Sequence, residues 1–267
     1  MLFAACDKIE INEAGYFGTE AGLSGEWTNG DGVADKSQRA FIEKYTGSKC
    51  VNCPDADELI HNLLEARGGK AIAVAVESHT SFGDNYSNSP NLRCEDGIVW
   101  SEYYGAEQLP ACLVNRMEEH PFIAMADIAT KVDAVIAHGA QVAIAVSNQQ
   151  NDDKAKIKVD LEFLENVSDD LTLTLLIMED SVLSKQLSTS GLKNDYPHDH
   201  MLRDVITDPW GASILKEQVS GAQGEKKSAT FDYTVDSSWK KQHCHIVAFI
   251  SKKDTKEVLN IAECELL

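Results

Sequence analysis

The stretch KYTGSKCVNCPDADELI, residues 44–60, sets two cysteines three positions apart where strand-like patterning gives way to helix-like patterning. RAFIEKYT at 39–46 predicts a short strand, and Gly47-Ser48 a turn. CPDADELIHNLLEA at 53–66 predicts a helix: Pro54 suits its first turn, and Asp55, Asp57 and Glu58 favour its positive end. Leu59, Leu63 and Ala66 form an apolar face with Ile60 and Leu64, and Gly68-Gly69 stop the helix. KAIAVAV at 70–76 is strongly apolar, as a central strand should be. A strand, a cysteine pair at a helix mouth and a second buried strand confine this half to an α/β layer arrangement.

The placement of the pair has chemical consequences. Cys50, at the helix mouth, lies near unpaired backbone N–H groups and the positive helix end, and Lys49 adds a cation. These influences stabilise a thiolate, so Cys50 is the candidate attacking sulfur and Cys53 the resolving one. A static disulfide within the same frame is the other reading. A structural zinc site commonly takes four ligands from two such knuckles. There is no second CxxC, and Cys94 and Cys112 stand alone, so no metal is assigned to the pair.

Downstream, residues 77–97 predict a long loop, 98–104 a short helix, and Pro110 opens a strand, ACLVN. Residues 121–138 predict an amphipathic helix ended by Gly139. The pattern then changes to strands at 143–147, 156–165, 171–178, 229–235, 245–251 and 257–266. The expected organisation is a lead-in at 1–37, an α/β domain at 38–140 and an all-β sandwich at 141–267. A formal charge of −19 without a long basic run excludes nucleic acid as a partner. At the N-terminus, MLFAACDKIE reads as the end of a bacterial lipoprotein signal, with Cys6 as the lipidated residue and membrane anchor. The Gly-, Asn-, Asp-, Ser- and Glu-rich residues 7–40 read as a spacer.

The order strand, CxxC, helix, strand, then Leu109-Pro110, is similar to thioredoxin-like proteins. That resemblance implies a cis Pro110 beside the cysteine pair and a groove there for an extended protein or peptide partner. The sequence departs from thioredoxins at Lys49, where they usually carry Trp, and at Val51-Asn52, where they usually carry Gly-Pro. YTGSKCVNCP, LPACLVNR at 109–116, YPHDHMLRD at 196–204 and HIVAFISKKDTKEVLNIAE at 245–263 together resemble the twenty-eight-kilodalton outer membrane protein family. The resemblance implies an outer membrane lipoprotein of the bacterial cell envelope, on its periplasmic or surface side, with a thioredoxin-like domain followed by an all-β domain. No cofactor is implied.

Other residues attract attention. His198 and His200, like His243 and His245, are two apart, and on strands each pair would share a face as minor metal-ligand candidates. Arg203 is expected to pair with a nearby carboxylate such as Asp199 or Asp204, or to hold a partner's carboxylate. Trp210 is expected to cap a sandwich end or meet a partner, while Trp100, Tyr103 and Tyr104 suit either a groove wall or a core. If the last hairpin turns through three residues centred on Asp254, Cys244 faces Cys264 closely enough for a disulfide. No nucleotide-binding loop, HExxH or GxSxG motif occurs. Two functions survive: a surface or periplasmic binding and assembly module on a thioredoxin-like scaffold, and a thiol–disulfide oxidoreductase acting through Cys50 and Cys53.

Overall fold

The computed structural model describes residues 26–118, 127–214 and 216–266. Cys6 lies outside them, as do residues 121–126 at the start of the expected second helix. In chain order the elements are β1 (Thr28–Asn29), β2 (Ala40–Thr46), α1 (Cys53–Arg67), β3 (Ala71–Glu77), α2 (Glu95–Tyr103), β4 (Ala111–Val114) and α3 (Ile128–His138). Then follow β5 (Val142–Asn151), β6 (Lys154–Phe163), β7 (Leu171–Glu179), β8 (Val182–Ser188), β9 (Gly191–His198) and β10 (Met201–Val205). The last are β11 (Ala212–Ile214), β12 (Lys226–Thr234), β13 (Cys244–Lys252) and β14 (Val258–Glu265).

The described chain forms two units. One is mixed α/β and joins residues 37–139 to 178–203. The other, β-rich, takes residues 26–36, 140–177 and 204–266. The break at residues 139–140 falls where helix-period patterning ends. Residues 178–203 group with the α/β unit although they follow the break, because β8 hydrogen-bonds to the turn before Cys50 (Leu187 N–H to Ser48 O, 2.8 Å).

In the α/β unit β2 and β3 are parallel and in register from Ala40↔Ala71 to Thr46↔Glu77, joined through α1. β4 adds to β2 antiparallel, and Met201 at the start of β10 pairs with Ala75 of β3. β2, β3 and β4 are buried along their whole lengths: β3 and β4 are almost wholly apolar, while β2 buries Glu43 against Arg116 and Lys44 against Asp57. α1 buries Cys53, Ala56, Ile60 and Leu63, an i, i+3/i+4 stripe, and ends at Gly68, whose φ of 54° suits a residue without a side chain.

The β-rich unit is sandwich-like. One sheet has the order β1–β12–β6–β5, and β13 pairs antiparallel with β14 in another. Ile157, Val159, Leu161 and Phe231 share a core with Leu173, Leu175, Ile246 and Ala248. The lead-in is more than a spacer: Thr28 pairs with Ser228, and Trp27 enters this core at 5% exposure. Burying its indole stabilises an otherwise polar segment.

The last hairpin corrects the expected cysteine pairing. Its register places Cys264 opposite Ile246, two positions from the facing arrangement, with a bulge between Ile250 and Ser251. Neither Cys244 nor Cys264 forms a disulfide. Asn148 Nδ2 donates to Cys264 Sγ at 3.4 Å, and burial raises that thiol's pKa. Trp210 lies 5.6 Å from the Lys256 ammonium.

Candidate functional site

Cys50 and Cys53 are joined by a disulfide, with Cα atoms 5.5 Å apart. Cys53 is the first residue of α1 and Asn52 its N-cap. Both cysteines are buried, at 3% and 1%, while Val51 between them is 39% exposed. Lys49 does extend from the same loop, but its ammonium lies 3.6 Å from an Asp84 carboxylate oxygen and 5.8 Å from the Tyr86 ring centroid.

The turn carrying the pair is tied down on several sides. The Lys49 N–H donates to Phe82 O at 2.8 Å, and a Cβ on Gly47 would sit 2.6 Å from that same oxygen. Glycine is therefore required by close backbone approach. Ser48 donates from its N–H and its hydroxyl to Glu77 Oε1, each at 2.8 Å. From β8, Gln186 directs its Nε2 to the carbonyls of Cys50 (2.9 Å), Gly47 (3.2 Å) and Leu187 (2.9 Å). Gln186 is 1% exposed, so it satisfies backbone oxygens that water does not reach. No local pattern signals this role, since Gln186 is 136 residues from Cys50.

Pro110 is buried at the head of β4, and the Leu109–Pro110 peptide is cis. Beyond β4, Arg116 is 4% exposed, and its guanidinium holds Glu43 through Nε (2.6 Å) and Nη2 (3.2 Å). Tyr45 donates to the same carboxylate at 2.8 Å. The guanidinium lies 4.5 Å from the Trp100 ring centroid. Trp100 is thus core, as is Tyr104, whereas Tyr103 is 60% exposed.

A cavity of about 390 Å³ is lined by α1, β2, β3 and the β9 segment, through residues including Lys44, Asp57, Glu58, Lys193, Tyr196 and His200. Lys44 is ion-paired with Asp57, and the Tyr196 hydroxyl donates to Asp57 Oδ2 at 2.8 Å. Cys112, buried on β4, is pushed up to about 12 by burial and is no nucleophile. His198 is also buried, and loss of hydration lowers its pKa to about 4.

The histidine pairs do not form the expected strand faces. His198 ends β9, while His200 sits in the following turn with φ 61° and donates its N–H to Asp180 at 2.7 Å. His243 lies in a 3₁₀ turn and His245 in β13, and the two pairs belong to different units. Among the described residues no group of three or more His, Cys, Asp or Glu could hold a metal ion. Arg203 meets Glu179 (3.3 Å) and the Asn91 carbonyl (3.1 Å).

A mixed α/β unit with a thioredoxin-like CxxC disulfide at a helix N-terminus, together with a β-rich sandwich-like unit, defines the class of protein. Residues 99–266 match the family described as Outer membrane protein Omp28. The chain belongs to that family, which places it at the outer membrane of the bacterial cell envelope. Among solved structures it is similar to HBP35 of Porphyromonas gingivalis, at 17% identity and TM-score 0.66, over 88% of this chain and 77% of that one. A structural-genomics protein of Agrobacterium tumefaciens matches at 14% identity and TM-score 0.52, over 88% and 96% of the two chains. A domain of the outer membrane lipoprotein Omp28 from Porphyromonas gingivalis matches at 20% identity and TM-score 0.34, over 48% of this chain and 88% of that one. No curated protein matches. Among the described residues no helix is long and apolar enough to cross a membrane.

Proposed function

We propose that the chain is a thiol–disulfide exchange protein of the cell envelope, acting through Cys50 and Cys53 on a thioredoxin-like scaffold. The observation that carries this reading is the Cys50–Cys53 disulfide at the start of α1, its turn held by Glu77, Phe82 and Gln186. In reducing a partner, the Cys50 thiolate attacks the partner's disulfide and one partner sulfur leaves as thiolate and takes a proton; the Cys53 thiolate then attacks Cys50 in the mixed disulfide, which re-forms the Cys50–Cys53 bond and releases the second partner sulfur as thiolate. The helix N-terminus favours the thiolate at its mouth. The partner is a protein or peptide whose extended segment enters beside Cys50 and Pro110, and a lipid on Cys6 anchors the chain to the membrane.

Mixed-disulfide trapping tests the reading. With Cys53→Ser, Cys50 is expected to retain a covalent partner from oxidised envelope proteins, released by dithiothreitol. Cys50→Ser should trap none. Equal recovery from both variants, or from neither, would leave the binding and assembly module as the better account.

A further inference from the structure

Glu77, the last residue of β3, is the acidic group built into the turn that carries the disulfide. Its Oε1 accepts both hydrogen bonds from Ser48, two residues before Cys50. Its side chain is 2% exposed, and Oε2 meets no hydrogen-bond donor among the described residues. An ionised carboxylate here would leave charge on an oxygen with neither water nor a donor. A neutral acid with its proton on Oε2 avoids that cost. Burial accordingly pushes the pKa up to about 7. Opposing this are the two Ser48 hydrogen bonds and the charges of Arg93 and Lys44. Both cations have other partners: Arg93 is bound to Ser78 O and Asp84, and Lys44 to Asp57. The nearby turn also carries Lys49, itself paired with Asp84.

We propose that Glu77 is a positioning residue that couples proton uptake to reduction of the Cys50–Cys53 disulfide, an inference that rests on the redox reading above. The balance is simple. A dithiol reductant loses two electrons and two protons as its sulfurs join. The Cys50–Cys53 bond breaks and accepts the two electrons. One proton goes to Cys53, and Cys50 remains as thiolate. The new negative charge lies on the segment that Ser48 ties to Glu77, so the carboxyl's proton affinity rises. Where Glu77 was ionised it takes the second proton, and where it was already neutral that proton goes to solvent. Reoxidation by a partner disulfide returns that proton to solvent.

The test follows the Glu77 carboxyl directly by carbon NMR, its resonance assigned by its absence in Glu77→Gln. The full chain is titrated oxidised and after reduction by a water-soluble phosphine. The midpoint is expected to rise by about one pH unit on reduction, a tenfold gain in proton affinity. Identical midpoints in the two states overturn the proposal. A second measurement follows exchange of Cys50–Cys53 with glutathione against pH. The wild-type profile is expected to bend above pH ~7, where Glu77 begins to ionise. Glu77→Gln, which keeps an oxygen for Ser48, should lose that bend, and a folded variant whose profile superimposes on wild type contradicts the coupling. Wild-type protein that never exchanges with glutathione would sink the redox reading, while the two NMR midpoints still decide the role of Glu77.

Discussion

Gln186→Ala should detach the β8–β9 hairpin from the turn that carries the disulfide. The wild-type amide has two hydrogens shared among three carbonyl oxygens, those of Gly47, Cys50 and Leu187, at 2.9–3.2 Å. Gly47 O keeps a second donor, the Cys50 N–H at 2.9 Å. The variant therefore removes the Gln186 donor from two further oxygens in a site where Gln186 itself is 1% exposed. A buried carbonyl deprived of its donor costs about 1–3 kcal/mol, so the local loss should be about 3 kcal/mol. The Leu187 amide, which donates to Ser48 O at 2.8 Å, reports on the same contact. Its hydrogen-exchange protection should fall about a hundredfold, the equivalent of that loss when exchange proceeds through local opening. Leu183→Ser, at a position 51% exposed on the same strand, should change it little. A loss below about threefold in Gln186→Ala would refute the argument that this side chain fastens the hairpin to the turn.

Arg116→Met should destabilise the protein by about 3–5 kcal/mol in denaturation experiments, because it strands the buried Glu43 charge. Adding Glu43→Gln should recover part of that loss, since the neutral amide still accepts from Tyr45. His198, neutral when buried, has a folded pKa of about 4, below its unfolded value. Its contribution is present above pH ~6.5 and is lost as pH falls toward 4, so His198→Gln should flatten the acid limb of the stability curve by up to about 3 kcal/mol. An unchanged acid limb in the variant would exclude His198 as its source.

Which parts of the structure were legible in the sequence follows from the physics of each segment. β2, α1 and β3 announce themselves through apolar periodicity, Pro54 near the helix start and Gly68 at its stop, and the CxxC pair marks the site. β8 is hidden because its pattern is inverted. Its buried positions include Ser184, Gln186 and Ser188, whereas Leu183 points outward. A polar inward face bonded to backbone carbonyls carries no hydrophobic alternation, so the hairpin and Gln186 escaped a search for apolar periodicity. Glu77 is obscured similarly, as a charged residue at the apparent end of a strand. In the lead-in, Trp27 is the one large aromatic signal that residues 26–36 offer against their polar composition. The Cys244–Cys264 expectation failed because register depends on the turn and bulge as well as on parity.

The most direct test is to equilibrate the native full chain in glutathione buffers of graded redox potential and quantify the Cys50–Cys53 disulfide after acid quenching. The account predicts a reversible two-electron transition, reached from oxidised and from reduced protein alike, in a chain that stays folded throughout. A disulfide that persists at every glutathione ratio and opens only when the protein unfolds would contradict it, and would make Cys50–Cys53 a static staple.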